Sequence, residues 1–355
     1  MSHDHAADHG HEHPSFLAHH FDDPEQQFDA GKLGIWLFLV TEVLFFSGMF
    51  CAYALYRSRN PEVFTFASNF LNTKLGAFNT GVLLFSSLTM AWGVRCAQLR
   101  QRGGLVVCLA ITLWCASIFL GVKAVEYTHK WDMGLLPAHF YLSQYAQPEP
   151  PHHAWEPFKE LIGQSHMQWL TKLCIVPGLF VVGFAIWVVN NFKKQDRRLI
   201  EVSSALLATA LAFFVGVGIG KVFQHAEEAE AATHHSSTDH GHSHDAKDAS
   251  AASNETVDKG HLVSSDAKAK PGDPSVASYD QKGGAGLFFS IYYCMTGVHA
   301  VHILGGMVVL TWLLVRSSKN VFHEQYFGPV DYVGLYWHLV DLIWIYLFPL
   351  LYLIR

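Results

Sequence analysis

GAGLFFSIYYCMTGVHAVHILGGMVVLTWLLVR, residues 284–316, and VDYVGLYWHLVDLIWIYLFPLLYLIR, residues 330–355, decide the fold. Each apolar run exceeds the roughly 20 residues a helix needs to cross a bilayer. Both carry polar groups at a depth where lipid disfavours them. His299 and His302 stand three apart and so share one helix face, as do His338 and Asp341. Ionisable side chains at that depth are costly unless they face other protein, so both faces are expected to look inward. Gly297, Ala300, Gly305 and Gly306 are small enough to let a neighbouring helix approach closely.

The chain upstream has the same character. Of 355 residues, 50% are hydrophobic and only 15% charged, which suits a helical membrane protein with polar segments between its spans. Residues 1–31 form a polar, His-rich tail with no apolar core, so no cleavable leader is expected and the first span acts as its own insertion signal. Three spans follow, roughly Leu33–Tyr56, Leu75–Gln98 and Leu105–Tyr127, joined by ordinary loops. Residues 129–167, rich in Pro, His and aromatics, are expected to form an irregular external segment. Two more spans, roughly Gln168–Asn190 and Leu199–Phe223, make a hairpin. Residues 224–283 read as a low-complexity, disordered external linker. The fold class is therefore all-α, a polytopic transmembrane bundle with seven spans.

Lys and Arg in the short loops set the expected orientation. Nine lie on one side, in the loops holding Arg95–Arg102, Lys193–Arg198 and Arg316–Lys319, against five on the other. The N-terminus is expected in the cytoplasm and the His-rich linker outside. All six cysteines fall within or at the ends of apolar runs, so no disulfide framework is expected. No basic patch with interleaved aromatics is present, and nucleic acid is not an expected partner.

T-G-V-H-A-V-H-I-L-G-G followed by Y-W-H-L-V-D-L-I-W resembles the last two helices of cytochrome c oxidase subunit III. T-E-V-L-F-F-S-G-M-F, N-T-G-V-L-L-F-S-S-L-T-M-A-W and G-V-K-A-V-E-Y are similar to three further helices of that family. The resemblance covers residues 32–128 and 284–355. It implies a supporting subunit of a proton-pumping haem-copper terminal oxidase in a bacterial inner (plasma) membrane. Such a subunit packs against oxidase subunits I and II and holds phospholipid, and it supports proton uptake by subunit I. Haem and copper are then expected in the partner subunits, and no cofactor in this chain. A quinol oxidase or a nitric-oxide-reductase-associated subunit is the alternative within the family. The hairpin of residues 168–223 has no family counterpart. It is expected to fill the place of two N-terminal helices that longer members have, forming a cleft with the first and third spans near Glu42 or Glu126.

Several residues stand out as candidates for chemistry. Glu42 lies mid-span among Val, Leu and Phe, where the neutral acid is favoured unless a cation or donors sit close. The resemblance implies a proton-active or lipid-associated carboxylate there; a structural hydrogen bond to another helix is the bland reading. Glu126 ends the third span three residues after Lys123, so a membrane-edge ion pair competes with a lipid-associated role. His299, His302, His338 and Asp341 are expected to form a buried polar network between the last two helices, with a metal site as the lesser reading. No C-x-x-x-C copper motif, phosphate loop, nucleophile elbow or H-E-x-x-H is present, so no catalytic residue is assigned. His234, His235, His240, His242 and His244 suit weak binding of divalent metal. They raise a distant alternative, a metal-ion transporter with a His-rich loop.

Overall fold

The computed structural model describes residues 17–19, 21–137, 166–238 and 285–354. They form α1 (Pro24–Arg59), α2 (Pro61–Ser68), α3 (Thr73–Gln98), α4 (Arg102–Asp132), α5 (His166–Lys194), α6 (Arg197–Thr238), α7 (Ala285–Ser318) and α8 (Gly328–Tyr352). Among the described residues there is no strand, only one bridge between His323 and Tyr326. All of these helices except α2 are long and apolar enough to cross a membrane.

The helices outrun the apolar stretches that announce them, because hydropathy reports depth in lipid while caps set where a helix ends. α1 starts inside the region read as a polar tail. Asp23 caps it, accepting from the Gln26 backbone N–H at 2.9 Å, and Pro24 occupies the first turn, where its missing N–H costs nothing. Asp23→Ala is expected to cost about 1 kcal/mol of local helix stability, read as faster amide exchange in the first turn alone. α1 ends at Asn60, whose backbone is turned out of the helix ahead of Pro61. α4 runs on to Asp132, where Gly134 at φ 71 closes it and the Leu135 N–H reaches back to the Lys130 carbonyl at 3.0 Å. α6 continues through Thr238, into the stretch read as disordered linker. The rest of that linker and most of the irregular segment lie outside the described residues.

The loop expected between the first two spans contains α2. Phe64 and Ala67 on it are fully buried, and Phe64 meets Phe288 edge-on at 5.3 Å, so α2 caps one end of the bundle against α7. A short helix with one apolar face carries too little hydropathy to be read as a span.

α4 is the central helix. It packs antiparallel to α3 and also touches α5, α6 and α7, while α8 closes the other side of α3 and α7. Trp337, Trp344, Phe288, Phe289 and Leu113 fill the space between these helices. α1 lies on the outside, against α8, α7 and α2. Polar contacts spaced along it supply much of its attachment. Tyr332 donates to the Phe28 carbonyl at 2.8 Å near its start, and Tyr53 donates to the Leu350 carbonyl near its end.

The hairpin α5–α6 meets the expectation in part: it packs on the third span beside Glu126, where Val125 meets Leu170 and Val217, but not on the first. α6 seats on α4, with lighter contacts to α3 and α7, and α1 belongs to a different face of the bundle. Among the described residues the hairpin does not pack on the first span, so no cleft beside Glu42 forms there. Glycine decides the seat. A Cβ on Gly121 would overlap the Phe213 carbonyl oxygen, one on Gly216 would overlap the Ile118 carbonyl oxygen, and one on Gly220 would lie 3.0 Å from Val125 Cβ. The two backbones therefore touch, which only glycine at both positions permits.

Candidate functional site

Two carboxylates lie within the spans in quite different surroundings. Glu42 faces from α1 to α7, where its Oε2 lies 2.9 Å from His302 Nε2. His302 Nδ1 lies 2.8 Å from the Val298 carbonyl of its own helix. A carbonyl only accepts, so Nδ1 carries a proton. The contact between Nε2 and Oε2 then holds one proton, as acid with neutral imidazole or as carboxylate with imidazolium. Either arrangement is neutral overall, which makes the pair tolerable in lipid. Phe46 meets the imidazole edge-on at 5.2 Å, and Tyr336 donates to the His302 carbonyl at 2.9 Å. The side chains remain 18% and 20% exposed, so the pair sits at the bundle's margin and is open to small apolar reagents.

Glu126 is sealed at the end of the bundle. Its Oε1 accepts from Lys130 at 2.7 Å, from Tyr292 at 2.8 Å and from Tyr352 at 2.5 Å, while Oε2 accepts from Lys123 at 2.8 Å. Lys123 also donates to Tyr352 at 2.6 Å and lies 4.5 Å over the Trp344 ring. Both lysines are buried with it. The carboxylate thus ties α4 to α7 and α8 through charge-assisted bonds. The Lys123–Glu126 pair expected from the sequence is present within a larger cluster. Lys130 stood four residues on, at pairing distance, but lay in the stretch read as external. Tyr292 and Tyr352 carried no local signal, since they arrive from helices far along the chain.

The four residues expected to form one network do not bond to one another. His302 turns to Glu42. His338 Nδ1 meets the Ser87 hydroxyl, and Asp341 Oδ2 lies 3.3 Å from the Ser86 hydroxyl. His299, fully buried, stacks on Trp344 at 5.3 Å and meets Phe119 edge-on at 5.7 Å, with neither ring nitrogen hydrogen-bonded. Three residues along a helix still differ by about 60° in direction. Among closely packed helices that suffices to address different neighbours.

Among the described residues no three His, Cys, Asp or Glu side chains gather as a metal site. His234 and His235 fall at the end of α6, where only the backbone is described, and His240, His242 and His244 lie outside the described residues. The six cysteines are free thiols.

The family model described as "Cytochrome c oxidase subunit III" matches residues 16–143 and 277–354. The chain belongs to that family. The match takes in every side chain of the Glu42 and Glu126 sites and leaves out the whole of the α5–α6 hairpin. Among curated relatives, a probable cytochrome c oxidase subunit 3 of Mycobacterium tuberculosis (strain ATCC 25618 / H37Rv) is 39% identical over 66 residues, 19% of this chain and 32% of the relative. Cytochrome c oxidase subunit 3 of Synechocystis sp. is 40% identical over 70 residues, 19% of this chain and 30% of the relative. A heme-copper oxidase subunit I+III of Aeropyrum pernix is 39% identical over 71 residues, 20% of this chain and 9% of the relative. The chain thus spans about a third or less of the length of these relatives. Membership of the family and the seven spans make this a multi-pass membrane protein.

Proposed function

We propose that this chain is the supporting subunit III of a haem-copper terminal oxidase. It assembles with subunits that carry haem and copper and reduce oxygen to water while pumping protons. In this reading the chain holds no redox centre. It sits in a bacterial inner membrane with its N-terminus in the cytoplasm, binds phospholipid along its apolar faces, and supports proton uptake by the catalytic subunit. The observation that carries the reading is the Glu42–His302 contact. It is a neutral, proton-sharing pair on an outlying helix, within the segment matched to the family.

The test is to tag the chain, solubilise the membranes mildly and ask what co-purifies. Larger subunits bearing haem and copper, with oxygen consumption driven by reduced cytochrome c, are expected. A chain that elutes alone while the membranes' oxidase activity elutes elsewhere overturns the reading. Activity with quinol but not with cytochrome c would identify the other donor.

Within the complex, Glu42→Gln is expected to leave the initial rate of oxygen consumption intact and to hasten its decay over many turnovers. His302→Ala leaves Glu42 without its partner and is expected to cost about 1–3 kcal/mol of stability, seen as a lower unfolding midpoint in detergent. A hydrophobic carbodiimide is expected to label Glu42 and to spare Glu126, which two lysines and two tyrosines enclose. Equal labelling of the two carboxylates, by mass spectrometry of the intact complex, would contradict the difference in their surroundings.

A further inference from the structure

Three fully or almost fully buried side chains in the middle of the bundle carry polar atoms with no hydrogen-bond partner: both amide atoms of Asn79, both ring nitrogens of His299, and Oδ1 of Asp341. They come from three helices, α3, α7 and α8, and are strung along the interior between them. Trp344 of α8 donates to Thr80, the residue after Asn79, at 3.1 Å, and His299 of α7 stacks on that same indole. Asp341 precedes Trp344 by three residues, a rise of about 4.5 Å. Asp341 also meets Ser86, which lies about 10 Å along α3 from Asn79, so the unpartnered atoms are spread over about two helical turns.

They also continue a line of polar groups. On one side is the Glu126 cluster, whose Lys123 ammonium lies 4.5 Å over the Trp344 ring. On the other side Ser86 approaches Asp341 and accepts from the Trp337 indole at 3.0 Å. Beyond it Thr89 and Thr112 bond hydroxyl to hydroxyl at 2.8 Å across α3 and α4. From Glu126 to Thr112 the line follows α4 for about 21 Å, most of a bilayer core.

A buried donor or acceptor left alone forfeits its hydration, and in a membrane-spanning bundle no bulk water restores it. Five such atoms within one bundle interior exceed what packing alone explains, because native interiors satisfy the great majority of their buried polar groups. Their types are complementary to small ligands that both donate and accept. The imidazole offers one donor and one acceptor, the amide offers two donors and one acceptor, and the carboxyl oxygen accepts. Direct bonding among them would have produced a contact, as it does between His302 and Glu42. Water, which both donates and accepts and makes two to four bonds, matches the set.

We propose that ordered waters bind inside the α3–α4–α7–α8 bundle, at Asn79, at His299 and at Asp341, and that the polar line from Glu126 to Thr112 is a hydrated seam. On this view His299 and Asp341 occupy spans because they are water ligands that lock the helices in register. This assignment is independent of the proposed role in the oxidase.

The first test is the density around these side chains in a high-resolution cryo-electron-microscopy map of the intact complex in nanodiscs. Peaks within hydrogen-bond distance of the Asn79 amide and a His299 nitrogen are expected; a featureless interior there overturns the proposal. The second is the sign of a stability change. Asn79→Leu in the full chain is expected to lower the unfolding midpoint by about 5 °C, because it removes the amide that holds water in the seam. A dry seam predicts the reverse, a raised midpoint, since the substitution then removes two orphaned atoms. Where Asn79→Leu fails to accumulate, Asn79→Ala supplies the reading. In a hydrated seam water takes the place of the lost amide and the infrared bands of internal O–H groups gain intensity in H2O against D2O. Unchanged bands in that variant count against the proposal.

Discussion

Replacing Glu126 with leucine is expected to remove most of the chain from the membrane, the largest effect of any single substitution at the two carboxylate sites. The reason is what stays behind. Lys123 and Lys130 are both buried, and each bonds to this carboxylate at 2.8 and 2.7 Å. Breaking a buried pair by deleting one member typically costs about 3–5 kcal/mol, because the surviving charge is left in a low dielectric. Here one deletion leaves two cations 7 residues apart on the same helix face. Tyr292 and Tyr352 lose their acceptor as well, at about 1 kcal/mol each. The sum approaches the whole stability of an ordinary domain, about 5–15 kcal/mol. The control separates charge from shape. The triple replacement Lys123→Met, Glu126→Leu, Lys130→Met removes the cluster together and is expected to restore accumulation substantially. Chain abundance in membranes and the unfolding midpoint in detergent measure both. If Glu126→Leu alone accumulated normally, the cluster would not be what holds α4, α7 and α8 together.

Valine at Gly121 or Gly216 is expected to detach the α5–α6 hairpin while leaving the rest of the bundle folded. At this crossing the obstacle to a side chain is backbone. The nearest atoms to a Cβ on Gly121 are the Phe213 carbonyl oxygen, the Val217 nitrogen and Gly216 Cα. A flexible side chain could rotate away; a helix backbone must move as a body. Overpacking of an ordinary core costs about 1–3 kcal/mol, and separating two helices along a crossing costs the contacts on both sides of it too. Gly183 and Gly218 provide the contrast, since nothing lies within 4 Å of a Cβ at either position. Alanine at Gly183 or Gly218 is expected to be silent. Hydrogen exchange read helix by helix decides the matter. Faster exchange in α5 and α6 with unchanged α3, α7 and α8 is the expected pattern, whereas uniform loosening would show that the hairpin is integral to the bundle.

Much of this molecule was legible in one dimension. Bilayer thickness sets a minimum apolar length, so seven spans could be counted from hydropathy alone, and the seven long helices are there. A carboxylate amid Val, Leu and Phe marked Glu42, and helical spacing placed Lys123 beside Glu126. Helix ends were read less well. α1 begins at Pro24 because the Asp23 cap carries it past its apolar stretch, and α6 likewise outruns its own, to Thr238. α2 escaped notice because its apolar face is too short to register.

The identity of each polar side chain's neighbour was decided only in three dimensions. Local periodicity fixes the direction of a side chain from its own axis, and that is all it fixes. His299 and His302 share a face by spacing, yet one stacks on Trp344 and the other reaches Glu42, because two helices from distant parts of the chain happen to flank that face. Tyr292 and Tyr352 converge on Glu126 across 166 and 226 residues of sequence. Nothing local to Gly121 or Gly216 named the helix each would meet, and the expectation that the hairpin would stand beside the first span failed for that reason. Small residues state that a helix can be approached; the complementarity of two whole surfaces determines which helix approaches it.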